Sequence, residues 1–540
     1  MAPNLPLPDA DEQPSRLAHH SQHASRQTRE RALAGPSFAV KGACRCPETV
    51  RGIWGPGTPL PLVTRPPSGS RCARLSSAPR SSNVESARVF WHPAFVSRRP
   101  GRKEDPVQAR APDPGSTPAQ RAAEAIHHAL ARGFLRPQDA AAVFHDLGLL
   151  DARLARIRAA FPPQTLHAVA IKANPLRRIL ERLRALDAGA EVASWPELRL
   201  ALSAGFPPER IVFDSPAKTI EELRQALSAG VRVNADNLDE IERIAALRRE
   251  LSSSASAVGI RINPQVGAGR IAATSTAAAY SKFGVALLER REELLHAFVE
   301  HDWLRGVHVH VGSQGCSLEL LVEAVRRLVE FADEVEGEQR EAGAFRVETI
   351  DIGGGLPIAY QPGDVEIPVE DYAAALRATC PALFEGRYGI ITEFGRYLFA
   401  PTGWIASRVE YVKTVAGIPT AILHVGADIL SRECQDPESW RHAISVHAPD
   451  GTPRLGGEER WNLAGPLCYS GDMPAVGVPL PRIHAGDFVV FHDTGAYALS
   501  MWSRYNSRQV PRVLGYESPG WSFQVLKERE RPEDVIAFWE

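Results

Sequence analysis

Leu166-His-Ala-Val-Ala-Ile-Lys-Ala-Asn174 is a short apolar run closed by a single lysine. Apolar residues at successive positions, rather than at alternate ones, mark a strand buried on both faces. Such strands belong to parallel sheets covered by helices. Lys172 stands out in this setting because an ammonium is costly to desolvate, so it needs a partner or a covalent use. A desolvated lysine with a lowered pKa suits Schiff-base chemistry with an aldehyde. Taken alone, the segment better suits a strand-end lysine whose stem is buried and whose head reaches water.

Working outward, the same theme recurs along the chain: a short β-branched run followed by an amphipathic helical stretch. The runs are Leu166–Ala173, Ala190–Ser194, Arg210–Asp214, Val231–Ala235, Val258–Asn263, Gly306–Val311, Glu348–Ile352 and Tyr388–Glu393. Helical patterns lie between them, among them Lys218–Ala229, Leu238–Glu250 and Ser317–Glu341. Eight strand–helix units predict an α/β fold closed into a (β/α)8 barrel over 147–395. A doubly wound sheet is disfavoured because no Gly-x-Gly-x-x-Gly turn follows the first strand. From 396 to 540 the alternation stops, and Trp404–Val415, Ala421–Val425, Ala443–Val446, Asp487–Phe491 and Ser522–Leu526 predict a mostly β C-terminal domain. A helix over Arg531–Trp539 closes it. Upstream, 116–146 holds a helix over Ala119–Ala131 and a strand over Ala140–His145, a segment expected to join the β domain. Residues 1–115 are rich in Pro, Arg, Ser and Gly without lasting periodicity, which predicts a disordered low-complexity extension.

The 540 residues suffice for two domains, and 62 basic against 64 acidic residues give no reason to expect nucleic acid or an anionic membrane as partner. Seven scattered cysteines form no disulfide framework, and Cys44-Arg-Cys46 is too tight for a zinc knuckle, so no metal is expected. With no apolar stretch of bilayer length and no secretory signal, the expected location is the cytoplasm.

A barrel of this kind carries its chemistry at the C-terminal ends of its strands. Lys172, Arg261, His308, His310, Asp351 and Glu393 all fall there. So many polar groups on one rim point to a site, since burying them without partners is prohibitive. Ile352-Gly-Gly-Gly355 follows the seventh strand, where glycines let the backbone approach an anion; a plain tight turn is the simpler alternative. In Val309-His-Val-Gly-Ser-Gln314, His310 can stack on an aromatic group and Ser313 offers a hydroxyl. In Thr392-Glu-Phe-Gly-Arg396, Glu393 either pairs with Arg396 or holds a proton on a heteroaromatic nitrogen.

The ordered set Ala170-Ile-Lys-Ala-Asn174, Lys282-Phe-Gly284, His310-Val-Gly-Ser-Gln314, Asp351-Ile-Gly-Gly-Gly355, Glu393-Phe-Gly-Arg396, Gly465-Pro-Leu-Cys-Tyr-Ser-Gly-Asp472 and Gly495-Ala-Tyr497 resembles the pyridoxal-phosphate-dependent diaminopimelate/ornithine/arginine decarboxylases. It looks most like the diaminopimelate branch, over roughly 120–535. The resemblance implies pyridoxal 5'-phosphate as cofactor, an amino acid as substrate and a role in lysine biosynthesis. By position, it makes Lys172 the covalent carrier of the cofactor, with His310 on its ring and Glu393 at its nitrogen. Gly353, Gly354, Gly355, Ser313, Arg396 and Tyr497 would surround the phosphate. It further implies a homodimer with shared sites, in which Cys468 donates a proton across the interface, Lys282 faces Asp472, and Arg261 and Tyr469 lie near substrate or interface.

Several positions depart from the family pattern. Tyr469 stands where an acidic residue usually receives the distal amine of the substrate. An Arg-Pro-x-Leu-Tyr segment is replaced by Ile429-Leu-Ser-Arg-Glu-Cys434 and Ser439-Trp-Arg-His442, Phe394 replaces a proline, and Glu191 an aspartate. The catalytic parts are kept while the specificity parts differ, so the sequence leaves the amino acid open. Two alternatives share the cofactor: racemisation or other chemistry at the α-carbon, for which related barrels usually place an arginine at the ring nitrogen, and a non-catalytic pyridoxal-phosphate binder, which lacks the second domain.

Overall fold

A computed structural model describes residues 116–251, 254–341 and 347–540, so the expected extension over 1–115 and the cysteines within it lie outside the described residues. Strand β1 (Ala141–Asp146) comes first, and the barrel strands follow. They are β2 (Leu166–Ala170), β3 (Gly189–Val192), β4 (Ile211–Phe213), β5 (Arg232–Ala235) and β6 (Val258–Asn263). After a two-residue strand β7 (Val285–Ala286) come β8 (Leu304–His308), β9 (Thr349–Asp351) and β10 (Gly389–Thr392). Parallel pairing runs β2–β3–β4–β5–β6–β8–β9–β10 and returns to β2, which closes an eight-stranded barrel. β7 pairs only with the end of β6.

Helices cover the barrel because each connecting stretch has one apolar stripe. The helix Ile220–Ala229 is representative. Thr219 and Glu222 form a capping box at its start, and Gly230 ends it in the left-handed conformation. Leu223, Ala226 and Leu227 turn inward from it.

Side chains alternate across a strand, so every second residue enters the barrel. At the bottom these are Ala168, Val212 and Ile391, which pack together. One layer up lie Glu191, Asn234, Arg261, His308 and Asp351, all buried. The mouth of the barrel is therefore polar by register, and its floor apolar.

The remaining strands are β11 (Gly403–Val415), β12 (Ile418–Leu423), β13 (Ile444–His447), β14 (Glu459–Ala464), β15 (Ala475–Leu480), β16 (Phe488–Phe491), β17 (Arg512–Glu517) and β18 (Ser522–Lys527). They form a mixed sheet in the order β15-β14-β12-β11-β1-β17-β18, with β16 joining β11 and β13. β1 sits in its middle, antiparallel to β11 and parallel to β17. The helix Pro118–Ala131 covers this sheet through Ala122, Ala125, Ile126 and Ala129, against Phe144, Trp404 and Tyr516.

Two differences from the sequence expectation bear on the site. The run predicted as a strand to Ala173 stops at Ala170, and Ile171–Ala173 is a single 3-10 turn closed by the Asn174 N–H on the Ile171 carbonyl. Pro175 supplies no amide donor to continue a ladder, so the chain turns before it. Lys172 is thus held by a turn. In the β sheet, β14, β15 and β17 were not among the predicted strands. The first two expose charged or alternating residues, which blurs an apolar signal.

Candidate active site

Lys172 emerges at the barrel mouth with its side chain 34 % exposed, and its Nζ donates to Glu191 Oε2 at 2.5 Å. Glu191 comes from β3, the neighbouring strand, and is itself fully buried. Burial alone would lower the Lys172 ammonium, but the carboxylates of Glu191, Asp214 and Glu393 overcome it and hold it above the usual lysine value. This corrects the expectation of a lowered lysine. Desolvation in a barrel mouth is outweighed where several acids share the space.

Those acids form a crowded floor. Glu191, Asp214, Asp351 and Glu393 are all buried. Burial pushes Glu191 and Asp351 well above the ordinary carboxylate range, with Asp214 adding to the first and Glu393 to the second. Asp351 accepts from Gly353 N–H at 3.0 Å and from Asn234 Nδ2 at 3.4 Å. Glu393 behaves oppositely. Burial raises it, yet His308, His310 and Lys172 hold it well below the usual range. Neither of its oxygens has a hydrogen-bond partner among the described residues, although each lies 3.6 Å from a histidine nitrogen. An anion kept charged and left without a donor suits a protonated heterocycle.

The opposite end of the cavity is basic. Arg396 is buried and makes no ion pair among the described residues. Its guanidinium donates to Ser313 Oγ at 2.9 and 3.1 Å and to the Tyr360 hydroxyl at 2.5 Å. It lies over the rings of Tyr497 and Trp440, 4.7 and 5.0 Å from their centroids, and Arg432 shares both rings. The turn after β9 closes this end. A Cβ on Gly353, at φ +65°, would stand 2.2 Å from the Val309 carbonyl, and one on Gly354 2.5 Å from that of Glu393. Only glycine lets the backbone pass here. A buried guanidinium without a carboxylate, beside a hydroxyl and a glycine turn, suits a phosphate.

One cavity is lined by Lys172, His310, Ser313, Glu393, Arg396 and Tyr497. Tyr497 arrives from the β sheet side. Its N–H donates to the Ala173 carbonyl, and Asn174 Nδ2 donates to Gly495 O, so this loop is stitched to the lysine turn. His310 Nδ1 accepts from Gly354 N–H at 3.1 Å, and burial lowers its pKa. An unpaired acid, a histidine, a lysine and an anion-seeking arginine lining one cavity are therefore the groups that pyridoxal phosphate calls for. Phe394, in place of a proline, packs against Phe161 and Tyr372.

Other residues singled out in the sequence lie apart. Arg261 is buried, 3.9 Å from Asp236 and over the Phe283 ring. Lys282 is exposed, over the same ring. Cys468 and Tyr469 are exposed on the β14–β15 loop. The Cys468 N–H donates to Asn506 Oδ1 at 2.8 Å, and its carbonyl accepts from the Tyr505 hydroxyl at 3.2 Å. Asp472 is buried, with Oδ1 accepting from Ala427 N–H at 2.6 Å and Oδ2 from Leu467 N–H at 2.7 Å, so its carboxylate ties the β14–β15 loop to the turn at Ala427.

Sequence reasoning left Asp214, Tyr360, Arg432 and Trp440 out of the site. Asp214 had a readable signal as the last residue of a predicted strand. Arg432 and Trp440 lie in the two segments noted as departures from the family pattern but carried no sign of approaching Arg396, and Tyr360 carried none at all; they come together from a loop, the short helix Ser431–Gln435 and the turn after it. No helix of the described residues is long and apolar enough to cross a membrane.

Residues 147–400 match the family model for the pyridoxal binding domain of pyridoxal-dependent decarboxylases. A diaminopimelate decarboxylase of Methanothermobacter thermautotrophicus is 31% identical over 376 residues, covering 68% of this chain and 83% of that protein. One from Pseudomonas aeruginosa is 33% identical over 373 residues, covering 68% and 85%. The crystal structure of diaminopimelate decarboxylase from Helicobacter pylori complexed with L-lysine matches with a TM-score of 0.67 at 28% identity, covering 76% of this chain and 99% of that one.

Proposed function

The chain belongs to the pyridoxal-dependent decarboxylases, and from that premise we propose that its cavity decarboxylates meso-diaminopimelate or a close analogue, with Lys172, Glu393 and Arg396 as fixed points. The observation that carries this reading is Glu393: a buried carboxylate held ionised, with no donor of its own, in the same cavity as Lys172. The relatives named above support the substrate class.

When bound, the cofactor supplies an electron sink for the pair left on the α-carbon as CO2 departs. This chain's residues then have separable tasks. Lys172 would hold the aldehyde end, and Glu191, 2.5 Å from its Nζ, would take up and return protons there. Glu393 would hold a proton on the ring nitrogen, which favours full use of the sink and argues for decarboxylation over racemisation. His310, whose Nδ1 is fixed by the Gly354 N–H, would lie against the ring. Arg396, Ser313, Tyr497 and the turn Gly353, Gly354, Gly355 would hold the phosphate, and the buried strand ends would exclude water.

A second copy of the chain completes the site in this reading. The Cys468 thiol is exposed, and its backbone is pinned by Tyr505 and Asn506 outside the cavity of its own chain. A homodimer would bring it to the neighbouring mouth to protonate the α-carbon. Tyr469, a neutral phenol, cannot neutralise a distal ammonium, which leaves recognition of that end to other groups.

The test is CO2 release from meso-diaminopimelate, lysine, ornithine and arginine assayed side by side. Release from diaminopimelate above the others is expected, and Lys172→Ala should abolish both turnover and the cofactor absorbance band. Inversion at the α-carbon without gas would favour the racemase alternative. Mixing Lys172→Ala with Cys468→Ala should restore activity if sites are shared between copies, whereas no recovery would sink the dimer reading.

A further inference from the structure

Directly beneath Glu393 lies a buried histidine that the tasks above do not use. His308 ends β8 with no exposed surface, and neither ring nitrogen has a hydrogen-bond partner among the described residues. Its Nε2 is 3.6 Å from Glu393 Oε1 and 3.8 Å from Asp214 Oδ2, and it stands opposite Asp351 in the β8–β9 register. Acids therefore face it from β4, β9 and β10, with Glu191 beyond Asp214 on β3.

The cations nearby are otherwise engaged. Lys172 is paired with Glu191 at 2.5 Å, and Arg261 faces Asp236 at 3.9 Å. His310 approaches the other Glu393 oxygen at 3.6 Å, but its Nδ1 accepts the Gly354 N–H. A nitrogen that accepts from an amide carries no proton, so it cannot donate to the carboxylate. His308 is the group that approaches Glu393 Oε1, at 3.6 Å, with no amide already bound to its nitrogen.

We propose that His308 is a positioning residue whose imidazolium keeps the Glu393 carboxylate ionised, so that a proton shared with an aromatic ring nitrogen resides on the nitrogen. This rests on the reading that Glu393 meets the ring nitrogen. The directions of titration agree with the geometry. Burial would lower His308, yet Glu393 and Asp351 raise it; burial raises Glu393, and His308 leads the groups that pull it down. No proton leaves the site in this scheme. It moves between carboxylate oxygen and ring nitrogen, and His308 biases where it rests.

The experiment loads the full chain with pyridoxal phosphate carrying 15N at the ring nitrogen and compares wild type, His308→Gln and Glu393→Gln by NMR. The wild type should give a protonated-ring resonance, and His308→Gln should move it towards the neutral ring. The kcat should fall on the order of tenfold for each pKa unit by which Glu393 rises, while KM and cofactor affinity hold. A wild-type resonance in His308→Gln, with Glu393→Gln neutral, overturns the inference and leaves the parent reading intact. A neutral ring in the wild type removes the parent reading first. If His308→Gln does not fold, neutron diffraction from the loaded wild type decides: deuterium on both His308 nitrogens supports the inference, and on one alone overturns it. The same three groups, Asp214, His308 and Glu393, have ligand atoms within 4.8 Å of one another. Stoichiometric metal in the loaded enzyme, by elemental analysis, would likewise overturn it.

Discussion

The two ends of the cavity solve opposite electrostatic problems. At the Glu393 end, four buried carboxyl groups share the space with a lysine and two histidines. At the Arg396 end, two guanidiniums share the rings of Tyr497 and Trp440, and Arg396 has hydroxyls but no carboxylate beside it. One end has acid to spare and the other has base to spare. A ligand with a proton-bearing ring at one pole and a phosphate at the other relieves both at once, and neither end is well matched without it. The acids come from the C-terminal ends of the barrel strands β3, β4, β9 and β10, whereas the basic end draws on connecting segments and on the β sheet. Register builds the first, and tertiary contact the second.

The sharpest way to break this comparison is Glu393→Gln. It leaves shape and hydrogen-bonding capacity but removes the charge, so kcat should fall by about 10²–10³ while the cofactor stays bound. Near-normal turnover in a steady-state assay would show that the acid end does not act on the ring. Arg396→Met acts at the other pole. It should weaken pyridoxal phosphate binding by about 10–100-fold and leave pyridoxal, which lacks the phosphate, nearly unaffected in the same titration. Equal losses for both ligands would mean that Arg396 is scaffold.

Tyr360→Phe tests whether the aromatic loops only support that arginine. Losing one hydroxyl partner of Arg396 should cost roughly 1 kcal/mol or less in cofactor affinity and should not alter the ring-nitrogen signal. A change at the ring nitrogen would couple the two ends and contradict their separation.

The smallest effect separates site from scaffold. Burial depresses His145 and His167 to about 4 and His492 to about 3. The folded state holds them neutral, so the unfolded chain binds more protons below their ordinary value. Their contribution is complete above about 6.5 and is lost as pH falls towards 4. Asp493, raised to about 6 by burial, works the other way, losing its contribution as pH rises from about 4 to 6. Among these four groups the three histidines outweigh the aspartate, so their part of the melting temperature falls on acidification, and His145→Gln should flatten the profile. An unchanged slope would assign the acid sensitivity to the carboxylates held below their ordinary range, Glu393 and Asp214, instead.

Much of the barrel was legible because its signal is local. Each strand is a short apolar run, and the period of two then places Glu191, His308, Asp351 and Glu393 on the inside. Lys172 and Glu393 line one cavity, and Gly353 and Gly354 in the turn read as an anion approach leave no room for a side chain. The sheet was less legible, since β14 and β15 alternate with exposed residues and β1 is separated in sequence from both of its partners. The backbone amides that Asp472 accepts from were not legible either, because Ala427 is distant from it in sequence.

By itself the sequence determined the barrel, the lysine, the acid and the glycine turn, because strand period and glycine stereochemistry act between neighbours along the chain. Only the tertiary structure decided which acid is charged, that Lys172 is raised and not lowered, and that Arg396 lacks a carboxylate. Those are sums over groups brought close from distant segments, and a linear sequence does not contain the distances on which Coulomb terms and desolvation depend.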